Sequence, residues 1–242
     1  MSQNSALANF LSGLSSTRDD LPIAFIAYLA ALDQVASVSP EVAKAIVKEL
    51  ADQSNSLKMI ASENYSSIAV QLAMGNLFTD KYAEGHPYHR FYAGCDNVDT
   101  VEGRAADLAK ELFEADHAYV QPHSGADANM VAYWAILNSR VQTPFMERLQ
   151  QTDPSKLSNT DWTELRNALG RQRLLGMNYY SGGHLTHGYR LNMSSRMFVA
   201  ESYDVNRDSH LIDYEAIRDH AKRFKPLILL AGYSAYPRKI DF

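Results

Sequence analysis

The sequence predicts an α/β protein whose mainly parallel sheet is covered by helices on both faces. Two apolar runs, Met197–Ala200 and Leu227–Ala231, read as strands, and the amphipathic stretch Tyr214–Phe224 between them reads as a helix. Strand, helix, strand in that order is how a parallel sheet is built, because the crossover helix must pack back on one face. Upstream, Ala118–Val120 reads as a further short strand. Gln121–Gly125 then turns the chain into a helix from Ala126 to near Leu137. The 242 residues suffice to bury a substantial core. The content of 46% hydrophobic and 21% charged residues is that of an ordinary globular protein.

Taken in order, residues 1–20 are rich in Ser, Asn and Ala and read as a loose arm. Leu21–Leu32 is the most apolar run, yet shorter than the roughly 18 residues a membrane helix needs. It follows Arg18, Asp19 and Asp20, the wrong flank for a signal peptide. It reads as a buried or dimer-facing helix of a cytoplasmic protein that does not enter the membrane. Ser39 and Pro40 open the next helix as N-cap and first-turn proline, and Val42, Ile46 and Leu50 give it an apolar face. Gln53–Ser56 breaks that pattern, and Leu57–Tyr65 reads as irregular and partly extended. Val101, Ala105, Leu108 and Leu112 mark another amphipathic helix.

Residues 140–170 are polar and carry Pro144 and Pro154, which suggests a surface insertion with one or two short helices. The expected division is an N-terminal arm with helices over residues 1–65 and the first part of a larger domain over 66–242. The chain ends at Lys239–Phe242, just after a core strand, where a sheet would keep an open edge, so the sequence reads as truncated.

The net charge is −5 with no long run of one sign, which argues against a nucleic-acid surface. A single cysteine, Cys95, excludes an internal disulfide and fits a reducing compartment.

Four segments carry chemistry. In Tyr119–Asn129 (YVQPHSGADAN), Ser124 and Gly125 stand at a helix start, where backbone N–H groups and the helix dipole favour an anion. Many such turns hold no ligand. In Gly182–Gly188 (GGHLTHG), two glycines let backbone approach a flat ligand, and His184 can lay its ring on an aromatic cofactor. His184 and His187 also have a spacing seen in metal sites, but the flanking glycines argue against a helix, and no metal is expected. The stretch from Thr79 to Gly94 is dense in Tyr, His, Arg and Glu. It offers Glu84 for acid–base work and the hydroxyls of Tyr82 and Tyr92. In Met59–Tyr65 (MIASENY), Ser62 can bind a carboxylate that Glu63 or Asn64 would position. Each segment alone is compatible with ordinary loop packing.

Together, IASENY, KYAEG, QPHSG with Asn129 four residues on, GGHLTHG and SAY occur in an order and spacing that resembles serine hydroxymethyltransferase. The resemblance runs from about Glu49 to Phe242, interrupted at residues 140–170. It implies the pyridoxal-phosphate fold type I, which is aspartate-aminotransferase-like, with a three-layer α/β/α large domain, here truncated, and a small C-terminal domain. It further implies pyridoxal 5'-phosphate as cofactor and tetrahydrofolate as co-substrate, with transfer of the serine hydroxymethyl group to give glycine. The expected assembly is a homodimer or a dimer of dimers with shared active sites.

Position by position, the resemblance gives Ser62 to the substrate carboxylate. Tyr82 goes to the cofactor phosphate of the neighbouring subunit, Glu84 to proton handling at the substrate hydroxyl and folate, and Tyr92 to the substrate across the interface. Ser124, Gly125 and Ala126 correspond to the phosphate cradle, His184 to the ring stacked on the pyridine, and Ser234 to the cofactor's phenolic oxygen. Gly183 and Tyr179 correspond to positions near the folate.

Some features depart from the family pattern. Ala126 stands where the family usually has serine, and Asp127 adds a negative charge beside an anion site. None of the nine lysines follows a histidine. By the family pattern, which the resemblance implies, the cofactor-linking lysine after a histidine, the aspartate at the pyridine nitrogen and the carboxylate-clamping arginine lie downstream of Phe242. The alternatives are a non-catalytic fragment or partner chain, or another lyase of the same fold such as a threonine aldolase.

Overall fold

The structure is a computed structural model that describes residues 5–13 and 22–242. The chain divides into two compact units, Met1–Gly85 and His86–Phe242.

In the first unit, part of the expected loose arm is helical. Helix α1 (Ala6–Ser12) starts at Ser5, whose side chain accepts from Ala8 N–H. The remaining positions of the expected arm, 1–4 and 14–20, lie outside the described residues. A run of small residues reads as irregular, but here a partner supplies what propensity does not. Asp33 on α2 (Ile23–Val38) accepts from the Ser5 hydroxyl and from the N–H groups of Ala6 (3.0 Å) and Leu7 (3.1 Å). A carboxylate is thus placed on the positive end of α1. The Ser5 hydroxyl, followed by those two amides, holds the Asp33 carboxyl below its usual range. Phe10 and Phe25 meet edge to face at 4.9 Å.

The apolar run expected to be buried or dimer-facing forms α2; within the chain Leu29 is its one buried residue, and Ile23 and Phe25 are exposed. Leu21, the first residue of that run, lies outside the described residues. Helix α3 (Pro40–Asn55) begins where the Ser-Pro pair predicts, with proline in the first turn. Residues 57–66 are irregular, and the short helix α4 (Ile68–Met74) follows, capped by Ser67.

The second unit begins within a tight hairpin, β1 (Gly85–His86) and β2 (His89–Arg90), which the long helix α5 (Asp96–Phe113) follows. The strand expected at Ala118–Val120 is absent. Residues 117–122 pair with no strand, and a lone apolar triplet has no ladder of its own to satisfy its backbone. Helix α6 (Gly125–Leu137) passes through a π turn at 138–142 into α7 (Thr143–Arg148), and α8 (Asn159–Gly170) follows. Residues 140–170 are more than surface. Phe145, Met146 and Leu165 are buried together, with Leu149, Leu157 and Leu169 packed around them.

The three-stranded sheet is parallel, in the order β4-β3-β5, with β3 (Arg173–Met177) at the centre, β4 (Val199–Tyr203) and β5 (Ile228–Leu230). Strand β5 falls inside the expected run, whereas β4 shares only Val199 and Ala200 with the expected Met197–Ala200, because Met197 ends a short helix. The central one was not foreseen, because its apolar core is only four residues long and directly follows a helix. Its neighbours in β3 point to opposite faces. Leu174 packs with Tyr133 and Leu137 of α6 and with Phe198. Leu175 packs with Met177, Tyr203 and Tyr236, backed by Ile217, Ala221 and Phe224 of α10 (Tyr214–Phe224). The short helix α9 (Met193–Met197) leads into β4. Among the described residues, no helix is long and apolar enough to cross a membrane.

Candidate functional site

Beyond β3 the chain makes a tight loop, residues 178–188, pinned on three sides. Asn178 N–H donates to Tyr203 C=O on β4 at 2.9 Å, and the Ser181 hydroxyl donates to Asp204 at 2.9 Å. Gly182 sits at φ +107°. Its carbonyl accepts from Ser234 N–H (2.8 Å) and Ala235 N–H (3.0 Å), which draws the segment after β5 against the loop. A side chain on Gly183 would place Cβ 2.1 Å from the Met177 carbonyl oxygen, so only glycine fits. The room the two glycines give is therefore filled by the protein's own backbone, a reason the sequence does not display. Gly183 is buried and its N–H is bonded to Asn178 C=O at 2.9 Å, whereas Tyr179 is exposed and its ring meets that of Tyr189 at a 48° tilt.

His184 and His187 occupy the turn that follows. His187 is buried, and its Nδ1 accepts from His184 N–H at 3.3 Å. Burial, with a smaller contribution from His184, pushes the His187 pKa down to about 4, so it is neutral near pH 7. Helix α6 supports the loop from below. Tyr133 donates its hydroxyl to the Thr186 carbonyl at 2.7 Å, and burial pushes that phenol up to about 12. Asn129, one turn nearer the helix start, donates to the Thr186 hydroxyl at 2.7 Å.

The same helix presents its positive end. Ser124 is the N-cap and accepts from Asp127 N–H at 3.1 Å. The N–H groups of Gly125 and Ala126 have no partner among the described residues, and nothing lies within 4 Å of where a Gly125 side chain would begin. Two open donors, a helix dipole and free approach suit a dianion such as a phosphate ester. Asp127 lies about 200° round the helix from Asn129. It lines a different groove with His86, Tyr119 and Trp134, so its charge is turned from the loop.

The sequence-predicted residues therefore separate into two groups. His184, Gly183 and Ser234 meet at the 178–188 loop, and Ser124, Gly125 and Ala126 begin the helix that props it. Tyr92 lies half exposed in the bend after β2. Ser62, Tyr82 and Glu84 are exposed in the first unit. Ser62 is on a turn beside the Lys58–Glu63 ion pair (3.8 Å), and Tyr82 and Glu84 are in the extended stretch before β1.

Sequence reasoning gave no role to Asn129, Tyr133 or Thr186, though the Asn was visible as part of the QPHSG pattern. It also missed a buried charge network. Arg90 binds Asp99 (2.7 Å) and Glu102 (2.6 Å), Asp99 accepts from Tyr88 N–H (3.1 Å), and Glu102 accepts from Gln121 (2.7 Å). The Arg90 guanidinium is the main cause that holds Asp99 below its usual range. This network ties the hairpin that precedes Tyr92 to α5 and to the approach to Ser124.

The family profile described as serine hydroxymethyltransferase matches residues 35–158 and 150–242. The chain belongs to the serine hydroxymethyltransferase family. It is 58% identical over 239 residues to the serine hydroxymethyltransferase of Treponema pallidum, covering 99% of this chain and 41% of that protein. It is 59% identical over 216 residues to that of Mycolicibacterium smegmatis, covering 89% and 44%. With that of Chlamydia trachomatis serovar D it shares 46% over 239 residues, covering 98% and 48%. The chain thus spans less than half the length of these members of the serine hydroxymethyltransferase family.

Proposed function

We propose that this chain is the N-terminal portion of a cytoplasmic serine hydroxymethyltransferase, which moves the hydroxymethyl group of serine to tetrahydrofolate and yields glycine. The observation that carries the reading is the convergence of the 182–188 loop, the segment at Ser234 and the open N-terminus of α6. A flat ring with a phosphate ester would find a ring-stacking histidine and an anion cradle there. We take the sheet and its two helical coverings as the start of a three-layer α/β/α large domain of fold type I, followed by a small C-terminal domain.

Pyridoxal phosphate, when bound, supplies an electron sink for the substrate's bonds. The chain's own residues bind and orient. The N–H groups of Gly125 and Ala126 would hold the phosphate with the Ser124 hydroxyl, which also caps the helix. Ala126 contributes no hydroxyl, which its open backbone donor partly offsets. His184 would cover one face of the ring, and Ser234 would serve its phenolic oxygen. Ser62 holds the substrate carboxylate. Glu84 moves a proton at the substrate hydroxyl. Tyr82 and Tyr92 act from a second copy in a homodimer or dimer of dimers. Gly183 contributes through its backbone beside the folate, with Tyr179 at the site's rim. The lysine that links the cofactor belongs, on this reading, to the part of the relatives that this chain does not match.

The test is cofactor titration of the complete protein, followed by visible absorbance. A visible band on adding pyridoxal phosphate is expected, and His184→Ala should weaken binding and slow turnover. A well-folded protein with no such band, or unchanged kinetics in the variant, contradicts the reading.

A further inference from the structure

At the base of the 182–188 loop, side chains from two elements form a directed chain of hydrogen bonds. Thr186 N–H points at His184 Nδ1 from 3.2 Å. A backbone amide only donates, so Nδ1 carries no proton and the neutral ring bears its hydrogen on Nε2. The Thr186 hydroxyl lies 2.8 Å from the same nitrogen. It has one hydrogen and faces an acceptor, so it donates to the ring. Its lone pairs are then left for Asn129, whose Nδ2 stands 2.7 Å away and donates in turn. Thr186 is buried, and Tyr133 fixes its carbonyl from the next turn of α6. Turning the imidazole over would put a C–H group against both Thr186 donors, so the chain sets ring orientation as well as tautomer.

We propose that Asn129 and Thr186 are positioning residues that hold His184 as a single Nε2–H tautomer in one ring orientation, ready to lie flat against the cofactor ring. The link to the cofactor rests on the reading of His184 as the stacking residue. The tautomer lock rests on the geometry alone. A loop histidine with two rotamers and two tautomers would have to be ordered as the cofactor binds. Here that ordering precedes binding, and its source is the helix whose first turn would hold the phosphate. One rigid element would then set both the anion site and the stacking ring.

The test is a two-dimensional proton–nitrogen spectrum of the histidine rings in nitrogen-15-labelled complete protein, first without cofactor, with His184 assigned by its loss in His184→Gln. The wild type should show His184 with Nδ1 unprotonated and Nε2 protonated. Thr186→Val, close in shape but without the hydroxyl, should shift the tautomer ratio towards Nδ1–H by about fivefold, the worth of one neutral hydrogen bond. Asn129→Asp matches the amide in shape but only accepts. It draws the Thr186 hydrogen away from the ring and should shift the ratio in the same direction, while Thr186→Ser should keep the wild-type pattern. An Nδ1–H signal for His184 in the wild type overturns the proposal. So does a wild-type pattern in both Thr186→Val and Asn129→Asp.

Titration with pyridoxal phosphate then separates the two levels. Weaker binding in Thr186→Val than in Thr186→Ser supports the positioning role, and equal binding in the two overturns it. A wild type that binds no cofactor refutes the functional reading, and with it the stacking half of this proposal, while the tautomer result stands by itself.

Discussion

Gly183 and His187 show how much of the site is decided one residue at a time. A methyl group on Gly183 has no space beside the Met177 carbonyl. Gly183→Ala must therefore push the loop off β3, at a cost of about 1–3 kcal/mol or more. A lowered melting temperature together with weakened pyridoxal phosphate binding is the expected pair of readings, and an unchanged melting curve would contradict the packing described. For His187 the folded pKa of about 4 lies below the ordinary 6.5. Between those values the unfolded chain binds more protons than the folded one, so stability falls as pH drops from about 6.5 to about 4. The slope approaches about 1.4 kcal/mol per pH unit inside that window and vanishes above it. Denaturant unfolding across pH checks this, and His187→Asn should flatten the curve. The histidines were legible in the sequence as a chemical pair. What was not legible is that His187 is buried and accepts from the His184 amide, while His184 stays partly exposed. Spacing does not say which of two histidines the fold encloses.

Among the elements, helix α6 joins the candidate site's two halves, and its sequence displays the first half only. Ser124-Gly125 announces a helix start, but the face that carries Asn129 and Tyr133 declares its purpose only once the 182–188 loop is folded over it. Tyr133→Phe should cost about 1–3 kcal/mol, because the buried Thr186 carbonyl loses its donor. Denaturant unfolding would show it, and a neutral effect would mean that the bond is replaced. The helix pair over residues 143–170 depends on Leu165, which is fully buried. Leu165→Ala should cost about 2–5 kcal/mol in the same measurement. Polar composition made this region read as surface, because three buried positions spread over some twenty residues leave little periodic trace.

The hairpin before Tyr92 hangs on Asp99, whose carboxylate meets both Arg90 and the Tyr88 amide. Asp99→Asn should speed amide exchange at Tyr88 strongly. Unchanged protection would mean that the turn holds itself. Charges nine and twelve residues apart carry no mark in the sequence of being partners, and only the folded hairpin brings Arg90 to Asp99 and Glu102.

For the whole molecule, strand–helix–strand order was legible from Met197 onward because apolar runs and an amphipathic helix alternate there at full length. The central strand β3 and the false strand at 118–120 were misjudged for one reason. Short apolar segments become strands only if a neighbour completes their hydrogen bonding, and that is decided by residues far away in sequence. Large side chains stay exposed within the chain itself, among them Ile23 and Phe25 on α2 and Leu112 and Phe113 on α5. Large apolar side chains left in water favour association. The 242-residue chain by itself should accordingly melt over a broad range or self-associate, and a sharp, concentration-independent melt would argue against that.

The central claim is that these residues serve the hydroxymethyl transfer of the family to which the chain belongs. The most direct test is to follow conversion of serine to glycine by the complete protein, loaded with pyridoxal phosphate, with and without tetrahydrofolate. The account predicts conversion that depends on tetrahydrofolate and is sharply reduced in Glu84→Gln and His184→Ala. Cleavage of hydroxyamino acids that ignores tetrahydrofolate, or conversion untouched by both substitutions, would contradict it.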